Sequence, residues 1–299
     1  SNYEKVKGQR QNMKKKTWGI HTFMAIPAFL LFAVFFLYPL GRGLQMSLTN
    51  WDGIGKAEFI GLGNFRSFFT DKRAMGDIRN TLLFALGSAP LLNIVGLGYA
   101  LLMNGRFRGK SLARMFIYMP AIISPLIMGY IWYLLLQPGR GFLFHLLDKM
   151  GKGAWFGNWL GSFGSAMLVL ILVNVWQYAG MTMVIYLAGL QSIPTELYEA
   201  GKMDGASGIS AFRYITIPLL GPSIRINVIT NIIGSLSVFD IVMSLTGGGP
   251  GDQTETLSIY IMRMCYGSKT GYSTAVAVIM FFIILLPVLA ALRLTREKE

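Results

Sequence analysis

The chain has 299 residues, of which 53% are hydrophobic and 14% are charged, with 27 basic and 14 acidic side chains. Soluble domains carry about 25% charged residues, so this composition excludes an ordinary soluble domain and favours an all-α integral membrane protein. The net charge of +13 does not predict nucleic-acid binding, because no basic stripe alternates with aromatic residues.

Six apolar stretches follow one another along the chain, and each is long enough for a membrane-spanning helix, which needs about 20 residues. Together they predict a six-helix transmembrane domain over 20–293, between a basic cytoplasmic tail at 1–19 and a short cytoplasmic tail at 294–299. In chain order the stretches are 20–40, 81–103, 112–136, 163–190, 219–245 and 272–292.

The orientation of the spans follows from Lys and Arg, which concentrate in cytoplasmic loops. Basic residues are dense in the tail 1–19 and in the short connection 106–114, so both segments are predicted to be cytoplasmic. With six spans and a cytoplasmic amino terminus, the polar loop 191–218 is also predicted to be cytoplasmic.

The loop 191–218 is predicted to form two short helices. Pro194 suits the first turn of a helix and the acidic residues after it favour its positive end, so a first helix is expected to about Met203. Residues 204–205 read as a turn, and a second helix leads to Pro218. Large apolar and aromatic side chains in this polar loop favour docking on a partner over a solvated loop; they are Leu197, Tyr198, Met203, Phe212 and Tyr214.

This loop resembles the coupling loop of the membrane subunits of binding-protein-dependent ABC importers, where E-A-A is followed by D-G-A and a hydrophobic helix ending in I-x-x-P. Gly201 replaces the second alanine, at an intrinsic helix cost of about 1 kcal/mol. The resemblance implies that the loop lies in a cleft of an ATPase subunit, with Glu199 as an ion-pairing contact. The matching residues are Glu199, Ala200, Gly201, Asp204, Gly205, Ala206, Phe212 and Ile215 to Pro218.

Other segments make nearly the whole chain similar to the larger membrane subunit of maltose-type systems. They are 38–40, 59–65, 191–194 and 245–250, reading YPL, FIGLGNF, QSIP and LTGGGP. The resemblance implies a type I ABC importer permease fold with a sugar or oligosaccharide as substrate. It also implies a bacterial or archaeal plasma (inner) membrane, with these partners: a homologous second permease subunit, two ATPase subunits, an extracytoplasmic sugar-binding protein and membrane lipid.

An ATP site is not predicted in this chain. A phosphate loop reads G-x4-G-K-[ST], whereas the nearest segment, 105–111, has three residues between its glycines and follows a membrane span. We therefore expect the chain to catalyse nothing and to hold no cofactor, with ATP and Mg bound by the partner ATPase subunits. His21 and His145 have no ligands at metal-binding spacing, so no metal site is expected.

Polar and aromatic residues in the fourth and fifth stretches are candidates for binding substrate, because polar side chains are costly inside a membrane. Asn227, Asn231 and Ser235 recur at i, i+4 and i+8 and therefore share one helix face. Amides and carboxylates hydrogen-bond to sugars, while aromatic rings pack on their C–H surfaces. In the resembling maltose-type subunit the sugar site comes from these two spans, and the matching positions here include Asn174, Gln177, Tyr178, Asn231 and Ser235. The residue types of the two stretches add Trp176, Phe239 and Asp240 as candidates.

Alternatives remain open for these residues and for the chain. Any one of the polar residues could serve interhelical hydrogen bonding instead of substrate. Asp240 could be a gate or an ion-pair partner of Arg225. The chain as a whole could be an ion-gradient-driven secondary carrier with Asp240 as its coupling acid, or a membrane receptor or scaffold without transport.

Overall fold

The computed structural model describes residues 25–105, 107–152 and 157–295. Within these ranges the regular structure is helical, apart from an isolated antiparallel bridge between Thr49 and Phe59. The tails at 1–19 and 296–299, and the first residues of the predicted span 20–40, lie outside the described residues. The helices are α1 (Ala25–Ser47), α2 (Gly63–Thr70), α3 (Lys72–Asn104), α4 (Lys110–Ile122), α5 (Pro125–Leu135), α6 (Phe142–Lys149), α7 (Phe163–Ser192), α8 (Thr195–Met203), α9 (Ile209–Leu219), α10 (Gly221–Leu236), α11 (Asp240–Leu245), α12 (Leu257–Tyr266) and α13 (Thr270–Leu294).

Four of the described helices, α1, α3, α7 and α13, are each long and apolar enough to cross a membrane. Helices α4 and α5 qualify together as a pair bent by 97°, and α9 and α10 as a pair bent by 71°, which brings the spans to as many as six. The predicted all-α membrane fold is therefore confirmed. Helix α3 begins at Lys72, well before 81, because the Asp71 side chain accepts hydrogen bonds from the backbone N–H of Arg73 and Ala74 and caps it.

Two predicted stretches are not single helices. The stretch 112–136 breaks at Ser124, because the residue before a proline is pushed out of the helical region and Pro125 starts the next helix. The stretch 219–245 breaks after Leu236, and α11 begins at Asp240. At this second break the Thr256 hydroxyl donates to the Val238 carbonyl at 3.1 Å, so the interrupted backbone is satisfied inside the protein.

Helices α3 and α7 pack along each other at the centre of the bundle, and α10 contacts both of them as well as α13. Close approach of the helices depends on small residues. A Cβ on Gly180 of α7 would lie 2.3 Å from the carbonyl oxygen of Ile117 in α4, and a Cβ on Gly96 of α3 would lie 2.5 Å from the Thr182 methyl. Helix α1 is peripheral: it packs on α13, and most of its length is exposed.

An ion cluster ties the segment after α11 to the start of α3, at the end of the bundle opposite α8 and α9. Glu255 is fully buried, with Arg73 Nε 2.7 Å from Oε2 and Arg263 Nη1 2.9 Å from Oε1. The Asn80 amide donates to the Glu255 carbonyl at 3.0 Å. This cluster holds the start of α12 against α3.

Candidate translocation cavity and coupling segment

A cavity of about 320 Å³ opens where α7, α10 and the break before α11 meet. Amide, hydroxyl, carboxylate and aromatic groups line it together with apolar side chains from α3, α5 and α7. The residues predicted to bind substrate divide into two groups. Those that line the cavity are Asn174, Tyr178, Asn231, Ser235, Phe239 and Asp240.

The predicted polar face of α10 is present and is anchored to its neighbours. Asn227, Asn231 and Ser235 are all buried and lie on the same side of the helix. Ser88 of α3 donates to Ser235 Oγ at 2.8 Å, and the Asn231 amide donates to Thr182 Oγ1 at 3.3 Å. The same side chains therefore face the cavity and join α10 to α3 and α7.

The break between α10 and α11 brings Phe239 and Asp240 to the cavity wall. Asp240 is the first residue of α11 and is partly buried there. One of the two alternatives for Asp240, an ion pair with Arg225, is not formed: the Arg225 guanidinium donates to the Thr295 carbonyl at the end of α13. Arg225 lies near the start of α10, and the helix, at about 1.5 Å per residue, separates it from Asp240.

Two of the predicted substrate-binding residues, Trp176 and Gln177, do not line this cavity. Gln177 is fully buried, and its Nε2 donates at 3.1 Å to the carbonyl of Ile123, at the break between α4 and α5. Trp176 is partly exposed and packs edge-on against Trp132, with ring centroids 5.5 Å apart. Neighbouring residues on a helix point in different directions, whereas residues four apart share a face.

The sequence interpretation missed other cavity residues. Thr182 lies four residues after Tyr178 on the same face of α7 and lines the cavity beside Asn231. Thr230 and Gly234 of α10 also line it. The signal that could have found Thr182 is the i, i+4, i+8 series of Asn174, Tyr178 and Thr182, the counterpart of the series on α10.

The second candidate site is the coupling segment, defined as 195–219 and made of α8 and α9. The predicted helix, turn and helix are all present, and the turn contains Gly205 with φ +84° and Gly208 with φ +50°. The Tyr198 and Thr216 hydroxyls lie 3.0 Å apart and join the two helices. At the tip, Met203 and Ile209 are 90% and 85% exposed. Large apolar side chains in such positions are typical of a surface that binds a partner.

The residues predicted to contact an ATPase lie on this segment with different exposures. Gly201 faces α9: a Cβ there would lie 2.6 Å from Cδ1 of Ile215, so glycine allows the two helices to approach. This packing gives a structural reason for glycine in place of the alanine of the resembling family. The exposed residues of this set are Glu199, Ala200, Asp204 and Gly205. The partly buried ones are Gly201, Ala206 and Phe212.

Residues 93–297 match the family described as "Binding-protein-dependent transport system inner membrane component". The chain belongs to this family. Over 274 residues, the permease is 32% identical to the "Probable starch degradation products transport system permease protein AmyD" of Thermoanaerobacterium thermosulfurigenes. The aligned residues cover 91% of this chain and 92% of the relative.

Solved structures extend the similarity to the fold. A bacterial ABC transporter that imports the acidic polysaccharide alginate contains a chain with a TM-score of 0.82 and 25% identity, covering 94% of this permease and 96% of that chain. A second structure, of the alginate transporter in complex with an alginate pentasaccharide-bound periplasmic protein, has a TM-score of 0.80 at 25% identity, covering 94% and 95%. The permease therefore has the type I importer fold and is a non-catalytic, multi-pass membrane subunit of an ABC importer, with ATP hydrolysis on a separate subunit.

Proposed function

We propose that this permease passes a sugar or oligosaccharide through the cavity between α7 and α10. The cavity offers the groups that sugars need: amides from Asn174 and Asn231, a carboxylate from Asp240, and the aromatic rings of Tyr178 and Phe239. The names of the similar proteins support this substrate class, because they refer to starch degradation products and to alginate.

One observation carries the mechanism that we propose. The two helices that line the cavity, α7 and α10, are also the two that flank the coupling segment, since α7 leads into α8 and α9 leads into α10. A displacement of the coupling segment therefore acts on both cavity walls, because only the short connections 193–194 and 220 separate it from α7 and α10. Rigid-body movement of this kind is an established way to alternate access between two sides of a membrane.

The complete importer that we propose has a second, homologous permease subunit, two ATPase subunits that bind ATP and Mg, and an extracytoplasmic sugar-binding protein. The coupling segment would lie in a cleft of one ATPase subunit, with Glu199 as the ion-pairing contact. Exposed apolar faces along α1 and α5 suit lipid and the second permease. The basic connection after α3 and the coupling segment are at the same end of the bundle, which supports a cytoplasmic location for both in a plasma (inner) membrane, and a cytoplasmic amino terminus.

The energy source is tested by uptake into liposomes that contain the reconstituted importer, with binding protein and labelled oligosaccharide outside and ATP inside. We expect uptake to require ATP and all subunits, and to persist when ion gradients are abolished by ionophores. Uptake without the ATPase that stops when an ion gradient is abolished would instead support a secondary carrier. Asp240→Asn separates the two schemes further, because it abolishes gradient coupling only if Asp240 is a coupling acid.

The coupling contact is tested by Glu199→Ala. We expect ATP hydrolysis stimulated by the binding protein to fall at least tenfold, with normal amounts of folded permease. Glu196→Ala is the matched control, since Glu196 is also an exposed glutamate of α8, one turn earlier. Full activity of Glu199→Ala, or equal loss in the two variants, would count against the coupling role of Glu199.

A further inference from the structure

A second cavity, separate from the translocation cavity, lies between α4 and α7 near the coupling segment and has a volume of about 460 Å³. It is an amphiphilic groove. Ser111, Arg114 and Gln191 lie at its end nearest the coupling segment, and Met115, Tyr118 and Val184 line the part that extends toward the middle of the bundle. We infer that this groove binds an anionic phospholipid, with the phosphate at Arg114 and an acyl chain along the apolar wall.

The guanidinium of Arg114 has N–H donors that form no hydrogen bond within the described residues. Nη2 donates to the Met103 carbonyl at 3.1 Å, whereas Nε is buried without a hydrogen-bond partner. No carboxylate among the described residues forms a salt bridge with Arg114. Guanidinium groups present five N–H donors that match phosphate geometry, and an unsatisfied buried donor destabilises a protein. A phosphate in the groove supplies the missing negative charge and accepts hydrogen bonds from the terminal N–H groups of Arg114 that do not bond to Met103.

The surroundings of the groove favour a lipid over a soluble anion. Met115 and Val184 are 53% and 46% exposed, so the apolar wall of the groove opens on the surface of two membrane-spanning segments. Arg108, exposed just before α4, and Lys110, the partly buried first residue of α4, add positive charge where the lipid headgroups lie. Basic pockets between transmembrane helices are known to bind the headgroups of anionic lipids. A free phosphate has no apolar group that could pack against this wall.

An occupied groove also has a mechanical consequence. Its two walls belong to α4 and to α7, and α7 leads directly into the coupling segment. A lipid that contacts both helices stabilises their packing at the end where the coupling segment joins the bundle. The proposal concerns lipid binding alone and does not depend on which substrate the importer carries.

The experiment uses the assembled importer in nanodiscs of phosphatidylcholine, with and without about one third phosphatidylglycerol. For the wild type we expect the thermal unfolding midpoint of the permease to rise with phosphatidylglycerol, and bound phosphatidylglycerol to persist in native mass spectra. In Arg114→Gln the rise should at least halve and the retained lipid should fall at least tenfold. Arg293→Gln, which removes an exposed arginine from the last turn of α13, should behave as wild type.

Further measurements separate the lipid from other occupants. Val184→Trp fills the apolar part of the groove and leaves Arg114 unchanged, so it should also reduce the amount of retained phosphatidylglycerol. If Arg114→Gln does not fold, this variant tests the proposal in its place. Inorganic phosphate should not raise the midpoint. The proposal is overturned if both Arg114→Gln and Val184→Trp retain lipid as the wild type does. It is also overturned if a photocrosslinker at Met115 reacts with the second permease subunit and not with lipid.

Discussion

Glu255 Oε2 lies 2.7 Å from Arg73 Nε, although the two residues are 182 positions apart in the chain. The carboxylate is fully buried, and Arg263 approaches its other oxygen at 2.9 Å. Asp252 contacts the same two arginines at 3.3 and 2.6 Å, but its side chain is 45% exposed. One carboxylate of the cluster is thus buried and the other is solvated, so they are expected to differ in their effect on stability.

We expect Glu255→Gln to destabilise the permease by about 3 kcal/mol, because it removes the buried carboxylate between Arg73 and Arg263 and leaves the more exposed Asp252 as their salt-bridge partner. Asp252→Asn should cost less than about 1 kcal/mol, since exposed ion pairs contribute little. The measurement is thermal or denaturant unfolding of the purified permease in detergent. Equal effects of the two substitutions would show that burial does not govern the strength of this cluster.

A hydrogen bond between Tyr260 and Asp71 makes stability depend on pH. Tyr260 Oη donates to Asp71 Oδ2 at 2.5 Å, and the backbone N–H of Arg73 donates to Oδ1 at 2.8 Å. Burial acts to raise the pKa of Asp71, but these hydrogen bonds outweigh it and lower the pKa below its ordinary value of 3.8. Burial and the bond to Asp71 raise the pKa of Tyr260, so this hydroxyl remains a donor at neutral and acidic pH.

A carboxylate whose pKa is lowered on folding stabilises the folded state above its ordinary pKa and loses this effect as pH falls through its folded value. Tyr260→Phe should therefore cost about 1.5–3 kcal/mol near neutral pH, the range for hydrogen bonds to charged groups. The difference between wild type and variant should shrink below about pH 4 as Asp71 becomes protonated. Unfolding midpoints at pH 7, 5 and 3.5 test this, and a difference independent of pH would contradict it.

A substitution at Gly234 tests whether the sugar passes through the translocation cavity. It lines the cavity, and a Cβ at this position would meet no heavy atom of the described residues within 4 Å. Gly234→Leu should therefore place a side chain in the cavity without a packing penalty, and leucine favours a helix over glycine by about 1 kcal/mol. We expect sugar uptake to fall at least tenfold while stability and subunit assembly are kept.

The control is Gly164→Leu, at the exposed start of α7, where a Cβ also meets no described atom within 4 Å. Gly164 does not line the cavity, so its variant should transport normally. Normal uptake by Gly234→Leu would place the translocation path elsewhere. The pair is preferable to bulky residues at Ser235, because Ser235 is bonded to Ser88 and its replacement would also disturb the packing of α10 on α3.

The hydrophobic runs were sufficient to predict the helical class and the order of the spans, but the two breaks differ in how far they could be predicted. The break at Ser124 has a local cause in Pro125, which is visible in the sequence. The break at 237–239 contains neither glycine nor proline, and its carbonyl group is satisfied by Thr256 from a later segment. A cause that depends on tertiary contact leaves no local signal.

The candidate site also contains some features that could be predicted from the sequence and others that could not. Helical spacing correctly grouped Asn231 with Ser235, because a shared face follows from residue numbers alone. Trp176 and Gln177 were grouped with Asn174 by adjacency, which does not imply a shared face. Only the position of α4 explains why Gln177 is turned toward the Ile123 carbonyl. Spacing within one helix could therefore be used for prediction, whereas packing between helices could not.

The exposed tip of the coupling segment should bind a partner without contributing to the fold of the permease. Met203→Asp removes an apolar side chain that is 90% exposed, so the permease should fold normally while the ATPase no longer co-purifies. Met150→Asp is the control, since Met150 is 62% exposed at the other end of the bundle. Undiminished co-purification of the ATPase with Met203→Asp would show that Met203 lies outside the interface.

Gly201 and Ile215 are expected to be coupled energetically. Alanine in place of glycine favours a helix by about 1 kcal/mol, but here its Cβ would lie 2.6 Å from Cδ1 of Ile215. Ile215→Val deletes this methyl group and removes the clash. Gly201→Ala should therefore be neutral or destabilising alone, and stabilising by about 1 kcal/mol in the Ile215→Val background.

The measurement is a double-mutant cycle of unfolding free energies for the wild type, the two single variants and the double variant. A coupling energy of at least about 0.5 kcal/mol is expected, because residues in contact rarely act additively. Additive effects would mean that Ile215 moves aside freely and that the glycine has no packing role. ATP hydrolysis by the four assembled importers then shows the functional effect. If the close approach of α8 and α9 transmits movement, Gly201→Ala alone should lower transport per ATP, and Ile215→Val should restore it.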